Sequence, residues 1–538
     1  MTVFILGAGV MQIPAIRAAK DLGWTVVAAD ADQAAPGVRD ADRFIHLDLK
    51  DREGLAGAAL GIRAELGLDG VFTAGTDFST SVAWVARELG LPGIPFETAV
   101  RASDKLRMRE ALRAAGVPSP RYAAADSTDD PSAVVAGLDF PLVVKPADSM
   151  GARGCRAVRD SSELSDALAA ALRFSRSGKA IVEEFVDGPE FSVDALVEGD
   201  EIRIRGVADR HIHFPPYFVE LGHTMPTAHP SEIVDEVLRV FRLGVKALGI
   251  GRGAAKGDMK YSPARGGALV VEIAARLSGG YMSGWTYPYA SGIDLTREAL
   301  RLCVGMGLEA SPPDRGWTSA ERAFISIPGR VAWIEGRAEA ERTPYVKQLF
   351  IRASAGDRVT FPSNNVEKCG NVISQAPSRE EAVAAAESAA RAMRVRLLPA
   401  EPETEAFLAS EAGKDGMWPP PAFVVRGAAA RELAAMPDYI EGAATDIPSV
   451  APFSLAGSVE GRDWGGLRFS ESAALAQERG RSLCAGAVLR PDAAAGRFRT
   501  LAGRFWRALA RGGLQAAVYV LDTEYEAAGN GRRRSGGR

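Results

Sequence analysis

The chain has 538 residues, of which 47% are hydrophobic and 25% are charged, and its formal net charge is −4. This length exceeds what one hydrophobic core can organise, so several domains are expected. The composition is typical of a soluble globular protein, and the dispersed basic residues argue against nucleic-acid binding. No apolar run approaches the roughly 20 residues that a membrane-spanning helix requires, so no membrane association is expected.

The cysteines and the N-terminus indicate the compartment. The cysteines are far apart in sequence, which excludes a zinc-binding pair and a redox CxxC motif and is typical of a reducing compartment. The N-terminus runs directly into an apolar strand and lacks the basic segment of a signal peptide. The sequence therefore predicts a cytoplasmic protein. The four cysteines are Cys155, Cys303, Cys369 and Cys484.

The first hundred residues alternate β-rich runs with amphipathic helical stretches. Strands are predicted over 3–6, 25–30 and 70–75, with helices over 13–23 and Ser79–Leu89. This alternation indicates a parallel sheet, and so a Rossmann-like domain over residues 1–100. The segment PGIPFETAVRASDK, with its two prolines, breaks the pattern and is predicted to be a domain boundary.

A glycine-containing turn follows the first strand. Gly7 and Gly9 lie where backbone N–H groups can approach an anion at a helix N-terminus. A dinucleotide-binding fingerprint requires glycine or alanine at the position of Gln12. Asp30 and Asp32 follow the second strand, where such folds place a ribose-binding acid. A nicotinamide site is therefore one interpretation, and a Rossmann-like domain with another use is favoured.

Two lysines and a second glycine-containing loop come next. Lys105 opens a predicted helix, and Lys145 ends an apolar strand over 141–146. Ser149 and Gly151 lie in the loop beyond that strand. Two ammonium groups and loop N–H donors would neutralise a nucleoside triphosphate. Alternatively, each lysine lies at the rim of its structural element and extends its ammonium group into water.

The segment EEFVDGPE, residues 183–190, ends a predicted strand at a Gly-Pro turn. Its free backbone groups are predicted to meet a purine edge between Glu184 and Val186. Glu190 is placed to accept hydrogen bonds from ribose hydroxyls, and an exposed strand-end glutamate is the alternative.

Asp258 and Glu272 lie in two predicted strands joined by the polar turn SPARGG. Such a hairpin would place both carboxylates side by side at one sheet position. Magnesium prefers oxygen ligands and takes one or two carboxylates from the protein. Glu272 interrupts the apolar run LVVEIA, where an unpaired charge is costly. Arg276 follows four residues later and is placed to reach a transferring phosphoryl group.

In this order the segments resemble the ATP-grasp superfamily. SDKLRMREALRAAGVPSP, PLVVKPADSMGARGC, IVEEFVDGPEFSVDALV and GDMKYSPARGGALVVEIAARLSGG are similar to its successive motifs. The opening segment resembles the domain that precedes the ATP site in purine-biosynthetic and amino-acid-ligating members. TPYVKQLFIRASAGDRV and GNVISQAPSREEAVAAAESA resemble the C-terminal lid. The likeness covers about residues 1–400 and leaves the rest unmatched.

The resemblance implies an ATP-dependent carboxylate–amine ligase that works through an acyl phosphate, with ATP and Mg²⁺ or Mn²⁺ as cofactors. Its partners would be a small-molecule carboxylate and an amine, and a homodimer is left open. The alternatives are a carboxylase or purine-precursor ligase of the same superfamily and, in other classes, an NAD-dependent oxidoreductase or a non-catalytic nucleotide-binding module.

The resemblance also assigns roles to residues. Lys105 and Lys145 would hold the α- and β-phosphates, Arg276 would stabilise the acyl phosphate together with Lys145, and Asp258 and Glu272 would bind the metal. Many relatives carry an asparagine two residues after the second acid, where this chain has Ala274, so the number of metal ions stays open. The other nucleotide-binding candidates are Ser149, Gly151, Glu183, Glu184, Phe185, Val186 and Glu190.

Four of the five histidines fall within residues 211–229. His211 and His213 would share a strand face, but no third metal ligand has suitable spacing. The segment PYFVELGHTMP is similar to one near the acyl pocket of amino-acid ligases, and a polar surface loop is the alternative. The LSGGY segment would supply backbone donors to a carboxylate. The substrate-binding candidates are His211, Glu220, His223, Ser278, Gly279 and Gly280.

The predicted organisation is α/β and α+β multidomain. It comprises a Rossmann-like domain (1–100), an ATP-grasp domain (101–310), a lid segment (311–400), an alanine-rich linker (401–440) and an α+β region of unknown role (441–538). Within the last region a helix is predicted at GRFWRALARGG and a strand at AAVYVLD.

Overall fold

The structure is a computed structural model that describes residues 1–310, 314–410, 418–441, 459, 461–484 and 499–527. Contacts between residues divide the chain into two compact units. The first comprises Met1–Arg322, Ser363–Asn365 and Ile373–Ala386, and the second comprises Ala323–Pro362, Val366–Val372 and Glu387–Arg538.

The first unit begins with a parallel sheet in the order β3-β2-β1-β4, which confirms the prediction from the alternating pattern. Apolar residues of β1 and β2 are fully buried, as expected for central strands covered on both faces, whereas those of the edge strand β3 are half-buried. The elements are β1 (Thr2–Leu6), α1 (Ile13–Asp21), β2 (Thr25–Asp30), β3 (Arg43–His46), α2 (Arg52–Leu66), β4 (Gly70–Phe72), α3 (Ser79–Leu89) and α4 (Phe96–Ser103).

A small antiparallel sheet in the order β5-β8-β6-β7 follows. Helix α5 lies before this sheet in the chain, and Asp104 caps its N-terminus by accepting hydrogen bonds from the N–H groups of Leu106 and Arg107. This cap fixes Lys105 at the start of the helix. The elements are α5 (Lys105–Ala114), β5 (Tyr122–Ala125), α6 (Pro131–Val134), β6 (Leu142–Pro146), β7 (Arg156–Val158), α7 (Leu164–Phe174) and β8 (Ala180–Glu184).

A larger antiparallel sheet carries most of the remaining polar candidates, and its first strands run in the order β13-β12-β9-β10-β11-β14. Helix α8 covers one face of β12, where a Cβ on Gly257 would lie 2.5 Å from Phe241. Because side chains alternate along a strand, Lys256, Asp258 and Lys260 lie on the other face. The elements are β9 (Glu190–Glu198), β10 (Glu201–His213), β11 (Val219–Met225), α8 (Ser231–Leu248), β12 (Arg252–Ser262), β13 (Gly267–Ala274), α9 (Tyr287–Ser291), α10 (Leu295–Cys303) and β14 (Thr318–Phe324).

From residue 329 onward the chain forms short strands and then mainly helices. Strands β17, β15 and β19 form one sheet, and β20 pairs with β21. The elements are β15 (Gly329–Glu335), α11 (Arg337–Arg342), β16 (Val346–Ile351), β17 (Arg358–Val359), β18 (Gly370–Ala376), α12 (Arg379–Ala392), β19 (Arg394–Leu397), α13 (Pro402–Ala409), α14 (Gly427–Ala435), β20 (Tyr439–Glu441), α15 (Phe469–Cys484), β21 (Arg499–Leu501) and α16 (Gly503–Ala527).

The prediction of a strand at AAVYVLD is wrong, because these residues belong to helix α16. The residues from Ala516 to Leu521 are all buried, so the helix shows no polar face and its apolar run imitates a buried strand. Gly512 and Gly513 have non-helical backbone angles, and they separate this run from the predicted helix before it. No helix among the described residues is long and apolar enough to cross a membrane.

Candidate functional site

The two acids of the β12–β13 hairpin stand opposite each other. Asp258 and Glu272 are directly paired across the antiparallel ladder, which confirms the placement expected from the SPARGG turn. Opposite residues in such a pair project from the same face of the sheet. The Glu272 side chain remains 28% exposed, whereas that of Asp258 is largely buried. The hairpin therefore presents two carboxylates at one point of the surface.

Lys105 connects the glycine-containing loop to this hairpin. Its ammonium donates to the carbonyl of Ser149 at 2.7 Å and lies 3.4 Å from Glu272 Oε2. Burial would raise the pKa of Glu272, but the charges of Lys105, Lys256, Arg276 and Lys145 outweigh it and lower the pKa to about 2. Glu272 is therefore a carboxylate at any physiological pH.

Lys145 belongs to a buried charge cluster. Its ammonium donates to Glu183 Oε2 at 2.6 Å, and Arg109 Nη2 lies 2.8 Å from Glu183 Oε1. Burial would raise the pKa of Glu183, but Arg109 and Lys145 hold it below its usual value. Burial would likewise lower the pKa of Lys145, and the Glu183 charge keeps it raised. All three groups are therefore charged.

Hydrogen bonds hold the loop after β6 at its start and in its middle. Lys105 N–H donates to the carbonyl of Ala147, and the N–H of Asn365 donates to the carbonyl of Gly151 at 3.0 Å. Gly151 and Gly154 have φ of 70° and 67°, a left-handed conformation that glycine adopts without strain. The loop is therefore fixed beside Lys105, whose ammonium and backbone N–H both donate to loop carbonyls.

The predicted purine-binding segment lies at the end of β8. The Glu184 side chain accepts hydrogen bonds from Arg121 at 2.8 Å and Arg265 at 2.5 Å, so it is used within the protein. Phe185 N–H donates to the carbonyl of Pro141. The N–H of Val186 makes no hydrogen bond to any described residue, although its carbonyl accepts one from Lys260. A contact to a purine from this segment would have to come from the backbone.

Arg210 joins three of the predicted site residues. Its guanidinium lies 3.1 Å from Asp258, 3.2 Å from Glu190 and 2.8 Å from Glu220. Burial alone would lower the pKa of Arg210, but the three carboxylates raise it. This arginine therefore links the predicted metal-binding, ribose-binding and substrate-binding acids into one network.

His223 continues the network on β11. Its Nδ1 is 2.6 Å from Glu321 Oε2 and its Nε2 is 3.3 Å from Glu220 Oε2. Burial would lower the pKa of His223, but the two carboxylates outweigh it and raise the pKa to about 9. The imidazolium form therefore predominates at neutral pH.

This raised pKa predicts a pH-dependent stability. The stabilisation is complete below the unfolded-state pKa of about 6.5 and is lost as the pH rises through 9. We expect the free energy of unfolding to fall by up to roughly 3 kcal/mol across this window. Urea unfolding at several pH values would measure it. His223→Gln should flatten this dependence and His46→Gln, at an exposed position, should not; equal slopes in all three proteins would contradict the assignment.

His211 is not part of this network. Its Nε2 lies 2.9 Å from Thr224 Oγ1, and strand alternation directs it away from the face that carries Arg210. Burial lowers the pKa of His211 to about 3, so it is neutral. Among the described residues no group of three or more His, Cys, Asp or Glu side chains is arranged to bind a metal, so His211 and His213 lack the further ligands that zinc requires.

The loop of Ser278, Gly279 and Gly280 lies against both the acid network and the first sheet. Ser278 N–H donates to Asp194 Oδ1, and a Cβ on Gly280 would lie 3.2 Å from Glu220 Oε1. A Cβ on Gly75 would lie 3.2 Å from Gly279 Cα. The loop is therefore closely packed, and a Cβ at either glycine would require its neighbour to shift.

Gln12 and Asp30 hold the N-terminal glycine turn through hydrogen bonds within the protein. Its side-chain amide donates to the carbonyl of Ala74 at 2.6 Å and accepts from the N–H of Ala74 at 2.9 Å. Asp30 accepts a hydrogen bond from the N–H of Ala8 in the turn itself. The residues that would contact a dinucleotide are thus used to hold the turn and the loop around Gly75 in place.

Three family models match successive parts of the chain. They describe an ATP-grasp N-terminal domain over residues 16–93, an ATP-grasp domain over residues 102–280, and L-amino acid ligase C-terminal domain 2 over residues 323–397. The chain belongs to the ATP-grasp ligase family. The resemblance seen in the sequence is therefore confirmed, as is the mixed α/β multidomain fold class.

Individual relatives agree with this family. The uncharacterized protein y4rH of Sinorhizobium fredii is 27% identical over 373 residues, which covers 69% of this chain and 74% of y4rH. Carnosine synthase 1 of Mus musculus is 26% identical over 407 residues, which is 70% of this chain but 49% of the synthase. The L-amino acid ligase of Bacillus licheniformis has a similar fold, with a TM-score of 0.64 and 21% identity over 74% of this chain and 98% of its own.

ATP-grasp ligases form carbon–nitrogen bonds and generally use ATP with a divalent metal. The hairpin of this ATP-grasp ligase fits such an ion in two respects. It provides two carboxylates, the number that magnesium usually takes from a protein. Asp258 Oδ1 is also buried without a hydrogen bond to any described residue, although Arg210 Nη1 lies 3.1 Å away.

Sequence reasoning missed several charged residues of this ATP-grasp ligase. Arg109 lies four residues after Lys105 on α5, and Lys256 lies two residues before Asp258 on β12; both spacings place the pair on one face of its element. These periodicities were available as signals. The pairing of Arg210 with Asp258 carried no local signal, because β11 and α8 separate β10 from β12 along the chain.

Proposed function

We propose that this ATP-grasp ligase activates a carboxylate with ATP as an acyl phosphate and transfers the acyl group to an amine, with amino acids as the substrates. The observation that carries the proposal is the pairing of Asp258 with Glu272, with Lys105 3.4 Å from Glu272. Mg²⁺ or Mn²⁺ held by the two acids would supply Lewis-acid stabilisation of phosphate oxygens. The match of residues 323–397 to an L-amino acid ligase domain favours amino acids over bicarbonate or a purine precursor.

The first step would be phosphoryl transfer. A carboxylate oxygen of the acid forms a bond to the γ-phosphorus while the bond from that phosphorus to the β–γ bridging oxygen breaks, so ADP leaves. Lys105 and Lys145 would neutralise the phosphates as positioned charges. The N–H groups of the loop that contains Gly151 would orient the same phosphates.

The second step would form the amide. The nitrogen of the neutral amine forms a bond to the acyl carbon, the bond from that carbon to the phosphate oxygen breaks, and the displaced proton passes to phosphate or solvent. Arg276 would stabilise the acyl phosphate, because its guanidinium is largely buried and its Nε makes no hydrogen bond within the described part of the chain. The N–H groups of Gly279 and Gly280 would hold the substrate carboxylate, since that of Ser278 is used by Asp194.

The proposal is tested by incubating the protein with ATP, Mg²⁺ and pairs of amino acids. ADP and phosphate release would be measured together, and mass spectrometry would search for an amide product. We expect ADP and phosphate to be released only when an amino acid is present. We also expect the amide product to form in an amount equal to the ADP released. Release of ADP only with bicarbonate or a purine precursor would instead support the carboxylase or purine-precursor branch.

Nucleotide binding makes a separate prediction. A non-hydrolysable ATP analogue with Mg²⁺, at about 100 times its Kd, should raise the unfolding temperature by on the order of 5 °C. NAD⁺ should produce no shift, because Gln12 and Asp30 are used internally. Lys105→Met should remove most of the analogue's effect, while Lys246→Met, on the exposed side of α8, should preserve it. Stabilisation by NAD⁺ and not by the analogue would reverse the conclusion.

A further inference from the structure

The sheet position next to the two acids is occupied by a lysine and an alanine. Lys256 and Ala274 are directly paired across the ladder, two residues along each strand from Asp258 and Glu272. The ladder is regular between these pairs, and its bulge falls after Asp258. All four side chains therefore project from one face of the hairpin, with neighbouring Cβ atoms within about 5–8 Å.

Lys256 is an integral part of the acid cluster. Its ammonium is ion-paired with Asp258 Oδ2, and its side chain is 14% exposed. The same charge helps to keep Glu272 ionised and acts on the buried Asp194, which is the partner of Lys256 on β9. One ammonium group is thus shared among three carboxylates.

Ala274 contributes nothing to a cation. Its methyl group has no oxygen, and divalent magnesium or manganese needs oxygen ligands from the protein, the nucleotide or water. No cluster of three or more ligating side chains is present among the described residues, so the hairpin offers two carboxylates and no further ligand of its own. Two divalent ions would have to share these two acids beside a fixed ammonium group, which would repel the second ion.

We propose that the Lys256 ammonium takes the place of a second divalent cation, so that this site binds one metal ion with each ATP. The inference rests on the proposed function, because it assumes that Asp258 and Glu272 bind the metal that accompanies ATP. Lys256 acts as a positioning charge: it lies beside Ala274 at the sheet position next to the two acids and balances part of the negative charge that the triphosphate adds.

The number of ions is measured with Mn²⁺ by electron paramagnetic resonance, using protein saturated with a non-hydrolysable ATP analogue. Two ions held about 3.5–4 Å apart give a spin-coupled spectrum, whereas one ion does not. We expect the wild-type protein to show a single uncoupled ion per bound nucleotide even in excess Mn²⁺. A coupled pair in the wild type would overturn the inference and leave the ligase proposal standing. No protein-bound Mn²⁺ at all would contradict the ligase proposal itself.

Variants of the alanine and the lysine test the cause. The double variant Lys256→Met/Ala274→Asn removes the ammonium and adds a ligand oxygen, so it should bind a coupled pair; Ala274→Asn alone retains the ammonium and should keep one ion. Lys256→Met alone should weaken analogue binding by at least about tenfold, with recovery in Lys256→Arg. If Lys256→Met binds the analogue like the wild type, Lys256 has no such role. Circular dichroism confirms that each variant is folded.

Discussion

Glu272→Gln is expected to abolish ADP release, with a loss of at least about 100-fold in kcat/KM. The substitution preserves the size of the side chain but removes the charge that lies 3.4 Å from Lys105. With a pKa of about 2, this carboxylate is ionised throughout the working pH range, so the neutral amide cannot imitate any populated state of it. The measurement is coupled-enzyme detection of ADP with the amino acid pair that the substrate screen identifies.

A matched control distinguishes the loss of the Glu272 charge from a general effect of replacing a glutamate with glutamine. Glu201→Gln changes a glutamate at the start of β10 whose side chain is 54% exposed, and its activity should equal that of the wild type. Glu201→Gln should unfold at the wild-type temperature. Glu272→Gln should unfold at a lower temperature, because the cations that lower the pKa of Glu272 to about 2 lose their partner, so circular dichroism at the assay temperature must show that it is folded. Wild-type ADP release by Glu272→Gln would refute the metal assignment.

Glu183→Gln is expected to lower the free energy of unfolding by about 3–5 kcal/mol, because it leaves buried cations without their counter-charge. Arg109 is 1% exposed, and it lies 2.8 Å from Glu183 on one side while Lys145 lies 2.6 Å away on the other. Removing the charge between them should lower the unfolding temperature by on the order of 10 °C, measured by calorimetry. Glu97→Gln, an exposed glutamate 3.9 Å from Arg107, is the control and should have little effect.

A second variant identifies the cause of this instability. Arg109→Met combined with Glu183→Gln removes the unpaired arginine as well as the acid, and part of the lost stability should return. If Glu183→Gln is as stable as the control variant, the cluster does not stabilise the fold, and the ionic contacts around Lys145 serve only to orient it.

The sequence predicted features that depend on residues close together in the chain better than contacts between residues far apart in the chain. The parallel sheet and the pairing of Asp258 with Glu272 were predicted because alternation and a short turn are local properties. The contact of Arg210 with Asp258 was not predictable, because no short turn joins β10 to β12. AAVYVLD was misassigned because complete burial removed the periodicity that distinguishes a helix from a strand.

The nucleotide-binding roles of Ser149, Gly151 and Glu190 remain predictions. The structure places Glu190 3.2 Å from both Lys260 and Arg210, so any hydrogen bond to a ribose would compete with two ion pairs. Ser149 contributes its carbonyl to Lys105, which the sequence did not indicate.

The two hydrogen bonds between the Gln12 amide and Ala74 bear on how the substrate selectivity of the proposed ligase could be changed. Gly75, next to Ala74, lies against the loop of Gly279, so the loop after β4 forms part of the wall around the proposed acyl site. A library for altered selectivity should therefore include positions 73, 74 and 76, which no motif of the nucleotide-binding region would nominate. Such a library should leave Gln12 unchanged, because its hydrogen bonds hold Ala74 in place. Gly75 and Gly279 should also stay, because their backbones approach each other closely.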